Sequence, residues 1–325
     1  MKAVVYTKYG TPDVLEFKEV QAPAPRENEV LVEVHAASVN SWDWDLLRGQ
    51  PAVLRLGKPR YNILGADIAG RVCKIGAGVT QLQPGDEVFG DISGCGWGGF
   101  AEYVCVREDA LALKPAGLTF EQAAAVPQAA VLALQGLRYR GQILQGQKVL
   151  INGAGGGVGT FAVQIAKSFG AEVTGVDSAG KLDMLRSLGA DRVSDYTRED
   201  FTRNGRNCDL ILDVVANRSI FNYKRALSPG GRCVIVGGTG AAVLQAIVLG
   251  PWVSLTTGKK IGILMHRPNR SDLNLLTELI GAGKVAPVVD RCYPLSEVAE
   301  ALRYFGQGLA RGKIVITVKQ VELSK

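Results

Sequence analysis

The run Val149-Leu150-Ile151-Asn152-Gly153-Ala154-Gly155-Gly156-Gly157-Val158-Gly159 constrains this chain most, because an apolar strand passes through a glycine cluster directly into a helix. Glycines there permit a tight turn and bare backbone, so a pyrophosphate can approach and meet the free N–H groups of a helix N-terminus. The spacing is an imperfect dinucleotide fingerprint, since Ala154 stands where its first glycine is expected. Context supplies what the spacing lacks. A second strand, Glu172 to Val176, ends at Asp177 about twenty residues on, where the adenosine ribose is read.

Two readings of that strand end stay open. The Asp177 carboxylate can accept hydrogen bonds from the ribose hydroxyls of NAD(H) and would repel a 2′-phosphate. Against it, Ser178, Lys181 and Tyr196 offer the donors and the positive charge that the 2′-phosphate of NADP(H) needs. Lys181 reads equally well as a solvated lysine at a helix start.

Before the turn the texture is different. Met1 to about Leu118 carries short alternating strands (Lys2 to Tyr6, Glu29 to Ala36, Asp67 to Ile75, Glu87 to Phe89, Phe100 to Val106) separated by turns such as Gln83-Pro84-Gly85-Asp86. Thr119-Phe120-Glu121-Gln122 then opens an alanine-rich helix with capping-box spacing. Strands at Lys148 to Asn152, Glu172 to Val176, Leu210 to Val214 and Arg232 to Val236 alternate with helices at Val158 to Phe169 and Lys181 to Leu188, which predicts a parallel sheet covered on both faces. Helices at Asp272 to Ala282 and Leu295 to Phe305 precede a closing strand, Lys313 to Val318, that returns to the first domain. At 325 residues, two domains are expected. The 40 glycines suit a chain with many strand-to-helix turns.

Bulk properties exclude some functions. The net charge of +6 would attract anions, but no run of five or more Lys or Arg marks a nucleic-acid surface. The six cysteines are scattered without a CxxC pair, so they read as reduced thiols of a cytoplasmic protein and form neither a disulfide framework nor a zinc knuckle. No export signal opens the chain. Cys233 to Gly258 lacks any charge, yet its glycines and Pro251 interrupt it short of the ~20 residues of an integral membrane segment. It is expected to be a buried strand followed by an apolar helix or loop, with a lid or partner surface as the sharper reading.

Several segments together resemble the medium-chain dehydrogenase/reductase superfamily, specifically its zinc-free quinone oxidoreductase branch. They are Met1-Lys2-Ala3-Val4-Val5 with Gly10, Val39-Asn40-Ser41-Trp42-Asp43, Leu64-Gly65-Ala66-Asp67-Ile68-Ala69-Gly70, Pro84-Gly85-Asp86-Glu87-Val88, Gly99-Phe100-Ala101-Glu102-Tyr103, Ala123-Ala124-Ala125-Val126-Pro127, the glycine turn and Gly312-Lys313-Ile314-Val315. The resemblance spans essentially the whole chain. It implies an α/β fold with a GroES-like, mostly-β catalytic domain (1–122 and 266–325) and a Rossmann, doubly wound parallel-sheet cofactor domain (123–265). In zinc-dependent relatives a Cys, a Gly-His-Glu segment and a second Cys hold the catalytic metal; the matching positions are Asn40, Ala66 with Asp67, and Gln128, a set poorly suited to zinc. His35 and His266 are isolated.

Without that Lewis acid, conjugated acceptors become the expected substrates, because a quinone or enone spreads incoming negative charge over its own π system. The resemblance places Asn40 and Asp43 near the nicotinamide as catalytic residues. Tyr61 is a candidate proton donor or stacking surface, and Trp42, Trp44 and Trp97 are candidate pocket walls, with plain packing as the alternative for each. Expected cofactor contacts are Asn40, Gly153, Ala154, Gly156, Gly157, Val158, Asp177, Ser178, Lys181, Tyr196, Gly237, Gly238 and Lys313. Lys181 and Tyr196 favour NADPH, while Asp177 departs from the small residue of NADPH-binding members and leaves NADH open. The resemblance further implies a homodimer joined through the cofactor domains. Two rivals stay open: an NAD(P)-dependent alcohol or aldehyde dehydrogenase, and a catalytically silent dinucleotide-binding regulator. The acceptor depends on loops such as Trp44 to Arg60 and Gly240 to Arg270.

Overall fold

The computed structural model describes residues 1–51, 55–205 and 207–319, so part of the Trp44 to Arg60 loop, residues 52–54, lies outside the described residues. In chain order the strands are β1 (Lys2–Val5), β2 (Glu16–Glu19), β3 (Glu29–Ser38), β4 (Asp67–Ile75), β5 (Glu87–Asp91), β6 (Tyr103–Arg107), β7 (Ala112–Leu113) and β8 (Lys148–Asn152). They continue with β9 (Glu172–Asp177), β10 (Arg192–Asp195), β11 (Cys208–Asp213), β12 (Leu227–Ile235), β13 (Lys260–Ile263), β14 (Val289–Pro294) and β15 (Lys313–Thr317). The helices are α1 (Ser41–Leu47), α2 (Phe120–Ala124), α3 (Pro127–Leu134), α4 (Gly157–Ser168), α5 (Leu182–Ser187), α6 (Ile220–Ala226), α7 (Gly240–Thr257), α8 (Arg270–Gly281) and α9 (Val298–Gly306).

Two compact units divide the chain. The first comprises Met1–Gln128, Pro268–Gly281 and Pro287–Lys325; the second comprises Ala129–Arg267 and Ala282–Ala286. The first boundary falls after Gln128, beyond the 122 expected from sequence. Ala123 to Val126 are wholly buried, and the Gln128 N–H donates to Asp67 at 3.0 Å. Ala282–Ala286, expected in the catalytic domain, belongs instead to the second unit. There the Gln164 side chain donates to Ala286 O and accepts from Ala286 N–H, at 2.9 and 2.8 Å.

In the first unit the seven-stranded sheet runs β14-β15-β3-β4-β5-β7, with β6 also on β3. β3 is its spine. It pairs with β4 along its length, and its other edge is shared by β6 near Glu29–Glu33 and by β15 near Ala36–Ser38. A strand hemmed in on both edges carries nearly continuous apolar residues, and Val30, Val32 and Val34 are all buried. Thr119 caps α2 as its spacing predicts: its hydroxyl accepts from Gln122 N–H at 3.2 Å while Gln122 Oε1 accepts from Thr119 N–H at 3.0 Å.

In the second unit six strands lie in the order β10-β9-β8-β11-β12-β13, every pair parallel. Counted from β8 this is 3-2-1-4-5-6, the doubly wound order in which ligands bind beyond the carboxyl ends of the central strands. β13 is the open edge. Beside it, α7 departs from the sequence reading: the helix runs on through Pro251, is 18 residues long, and is by length and composition able to cross a membrane, with 22% of it buried. Gly250 allows its close approach to β13, since an added Cβ there would lie 2.4 Å from Ile261 O. Ala242, Ala246 and Val253 anchor the inner face, while Leu244, Ile247, Val248, Trp252 and Leu255 are exposed.

Candidate active site

The glycine turn joins the carboxyl end of β8 to α4. Gly153 sits at φ +78°, a conformation that L side chains rarely adopt. A Cβ on Gly159 would lie 2.2 Å from Gly153 O and 2.5 Å from the Ala154 backbone, so only glycine lets helix and turn pack this closely. Gly156 is the helix N-cap and has no side chain to cap the helix end, and no acidic residue lies in the first turn. The nearest atom to a Cβ on Gly156 would be 3.6 Å away. Open space before uncapped helical N–H groups fits a phosphate, so Gly156, Gly157 and Val158 stand where the sequence expects cofactor contacts.

Asp177 ends β9 and turns back toward the turn. Its carboxylate accepts the N–H groups of Gly155 and Ser178, each at 2.8 Å, and the Lys181 ammonium lies 3.6 Å away. Both side chains are buried. At the strand end where the ribose is expected, Asp177 also clamps the glycine turn, with its charge balanced by Lys181. Tyr196 follows β10, its N–H bonded to Asp177 O at 3.2 Å and its ring exposed. At the end of β12, Gly237 O accepts the Ala216 N–H at 2.9 Å. Gly238 has φ +150°, and a Cβ there would lie 2.1 Å from Ala216 O. These two glycines bring backbone beside backbone.

The first unit gathers a second group of polar side chains at the ends of β3, β4 and β15. Register does this: Ser38 of β3 lies opposite both Asp67 of β4 and Val315 of β15. Asp67 accepts Asn40 Nδ2 at 3.0 Å, Ser38 Oγ at 3.2 Å and the Gln128 N–H at 3.0 Å. The Lys313 ammonium donates to Asn40 Oδ1 at 2.5 Å and to Val39 O at 3.2 Å, and stands 3.5 Å from Asp67. Burial raises the Asp67 carboxyl to about 6, opposed chiefly by Lys313, and lowers the Lys313 ammonium, opposed chiefly by Asp67. Gln128 Nε2 is buried without a partner among the described residues, which marks a place where a ligand or water must supply an acceptor.

Two sequence expectations change here. Lys313 was expected at the cofactor, but its Nζ is spent on Val39, Asn40 and Asp67. Asp43 was expected to be catalytic; it is fully buried, with one oxygen accepting the Asn40 N–H and the other the Gly65 N–H, both at 2.8 Å. Burial raises its carboxyl to about 7 against those two hydrogen bonds. Wholly buried and holding the Asn40 and Gly65 N–H groups, Asp43 positions the start of α1. Tyr61 is half-buried, its ring 6.0 Å from that of buried Trp97. Trp97 belongs to the core, Trp44 packs on Phe305, and Trp42 is exposed. His35 stacks on Phe120, ring centroids 4.1 Å apart, in a packing role. Asp67, which the sequence offers only as a position matching a metal ligand of zinc-dependent relatives, bonds Asn40, Ser38 and Gln128 and faces Lys313, and so is the hub of the cluster.

Comparison with known proteins agrees with this architecture. Residues 26–116 match the alcohol dehydrogenase GroES-like domain and residues 188–316 match a family described as zinc-binding dehydrogenase. A 2-methylene-furan-3-one reductase of Solanum lycopersicum is 36% identical over 97% of this chain and 79% of its own length. The chloroplastic NADPH-dependent alkenal/one oxidoreductase of Arabidopsis thaliana is 34% identical, again over 97% and 79%. The solved quinone oxidoreductase of Coxiella burnetii superposes with a TM-score of 0.87 at 30% identity, covering 98% of this chain and 99% of that one. On fold, domain matches and relatives alike, the chain belongs to the medium-chain dehydrogenase/reductase superfamily, in its quinone oxidoreductase-like branch.

Proposed function

We propose that this protein is an NAD(P)H-dependent oxidoreductase that reduces quinones or α,β-unsaturated carbonyls without zinc and prefers NADPH. When bound, the reduced nicotinamide supplies a hydride. The chain's part is to hold the dinucleotide, orient the acceptor and stabilise charge on its oxygen. Gly156, Gly157 and Val158 meet the pyrophosphate with backbone N–H groups, and Lys181 with Tyr196 lies at the adenosine end. Asn40 offers its uncommitted amide N–H to the acceptor oxygen, with Tyr61 a candidate proton donor.

The observation that carries the zinc-free reading is the occupancy of the Asn40–Asp67–Gln128 cluster by the Lys313 ammonium. A divalent ion there would have to displace a cation already 2.5 Å from Asn40 Oδ1, and would find one carboxylate and two amides, a donor set that zinc rarely accepts. Such a site does not fit zinc. Support for an enone or quinone acceptor comes from that missing Lewis acid and from the named activities of the relatives.

Purified protein assayed with NADPH against quinones, enones and short-chain alcohols, before and after chelation, tests the proposal. Chelator-resistant turnover of the conjugated acceptors is expected. Activity confined to alcohols and restored by zinc would overturn it; dinucleotide binding without consumption would favour a regulator. We further infer a homodimer in which the open edge of β13 and the exposed apolar face of α7 meet a second copy.

A further inference from the structure

We propose that Lys313 acts on the reaction through Asn40: its buried ammonium orients and polarises the Asn40 amide, making the remaining N–H a strong donor to the oxyanion of the acceptor. This rests on the reading of Asn40 as the contact to the acceptor oxygen. Lysine can only donate and a carboxylate can only accept. The Lys313 contact at 2.5 Å therefore fixes Oδ1, and the Asp67 contact at 3.0 Å fixes Nδ2. The amide cannot flip without facing donor with donor and acceptor with acceptor. One Nδ2 hydrogen is spent on Asp67, and the other, which meets no acceptor among the described residues, is left to serve the substrate.

Polarisation follows from the same geometry. A cation at the amide oxygen draws electron density from nitrogen and strengthens its N–H as a donor, an effect of about 10–30% per linked bond in condensed-phase estimates. Asp67 is the carboxylate nearest the Lys313 ammonium, with buried Asp43 and Asp91 also facing it, and strand ends on β3, β4 and β15 hold the three bonded groups rigidly. Stability alone justifies such a buried pair poorly, because well-packed apolar residues often do as well. During reaction the hydride and its electron pair form a C–H bond at the β-carbon. The alkene π pair shifts to join the α- and carbonyl carbons, the carbonyl π pair moves onto oxygen, and a proton from water later completes the α-carbon. An enolate concentrates charge on that oxygen, whereas a hydroquinone anion spreads it.

The test is Lys313→Met combined with Asp67→Asn, which removes both charges together, alongside Asn40→Ala and the triple variant. Turnover of simple enones and of quinones is measured with NADPH affinity and the isotope effect from 4-deuterated NADPH. The expected result is NADPH binding within about threefold of the parent, kcat on enones reduced about 10- to 100-fold with a larger isotope effect, and a clearly smaller loss on quinones. In the Asn40→Ala background the further loss should vanish. Equal losses on all acceptors, or losses that multiply with Asn40→Ala, would mean a purely structural Lys313 and overturn the inference. If Asn40→Ala lowers enone turnover and the charge-removing pair does not, this inference falls alone; if Asn40→Ala has no effect, the reading of Asn40 falls with it. Should the pair fail to fold, Lys313→Gln keeps a donor toward Oδ1 without the charge, and the same enone-to-quinone ratio decides.

Discussion

Replacing Lys181 by Met separates the two readings of the adenosine end. The methionine keeps much of the apolar stem that lies across Gly155, where an added Cβ would be 2.6 Å from Lys181 Cδ, while removing the charge 3.6 Å from Asp177. Asp177 then faces the dinucleotide uncompensated. At about 6 Å and an effective dielectric of about 20, one unit charge on a 2′-phosphate interacts with it by about 3 kcal/mol. Allowing for screening, NADPH should bind about 10- to 100-fold more weakly. NADH, which lacks the phosphate, should change by less than about threefold. Fluorescence titration of both dinucleotides at low and high salt reads this, and the NADPH loss should shrink as salt rises. Asp177→Asn is the companion. One of the N–H groups of Gly155 and Ser178 would face an amide donor, costing about 1–3 kcal/mol in turn geometry and weakening both dinucleotides alike. If Asp177→Asn instead weakened NADH alone by tenfold or more and tightened NADPH, Asp177 would be the ribose ligand, and the assignment of NADPH would be wrong.

Gly159→Ala should push the turn away from α4, costing about 1–3 kcal/mol of stability and roughly tenfold in dinucleotide affinity; parent-like affinity and melting temperature would remove the turn from the site. Asp43 and Asp67, raised by burial to about 7 and about 6, bind more protons folded than unfolded between about pH 4 and 7. Their contribution to stability is therefore greatest near pH 4 and is lost as pH rises through 7. Urea midpoints should fall across that window, with a shallower slope in Asp43→Asn; an unchanged slope would refute the assignment. Leu244→Glu with Leu255→Glu on the exposed face of α7 should convert a dimer to monomer in light scattering while NADPH still binds, and an unchanged mass would exclude that face.

What was legible in the sequence is what depends on neighbours along the chain. The glycine turn could be read because β8, the turn and α4 are contiguous, and the cap at Thr119 because its partner is three residues away. β2 was missed because all four of its residues are exposed, leaving no alternation to detect. Pro251 was read as a break, but buried Ala242, Ala246 and Val253 hold α7 to its sheet on either side, and packing overrides the local preference. Asp177 shows a related limit: its position in the sequence shows the strand end, and only the folded turn shows that its two oxygens also hold the Gly155 and Ser178 N–H groups.

The Asn40 cluster makes the same point at longer range. Lys313 and Asn40 are separated by 273 positions in the chain and touch at 2.5 Å because Val315 and Asp67 are both in register with Ser38. Local spacing offers no signal for that contact. The resemblance to quinone oxidoreductases sets Lys313 at the cofactor, and outside the fold only its charge is certain. Once β15 pairs with β3, the charge is turned inward and becomes a constraint on an amide. The chemistry of the acceptor oxygen then depends on strand register as directly as on residue type, so a shift of β15 by one residue would disable Asn40 without changing any residue in the cluster.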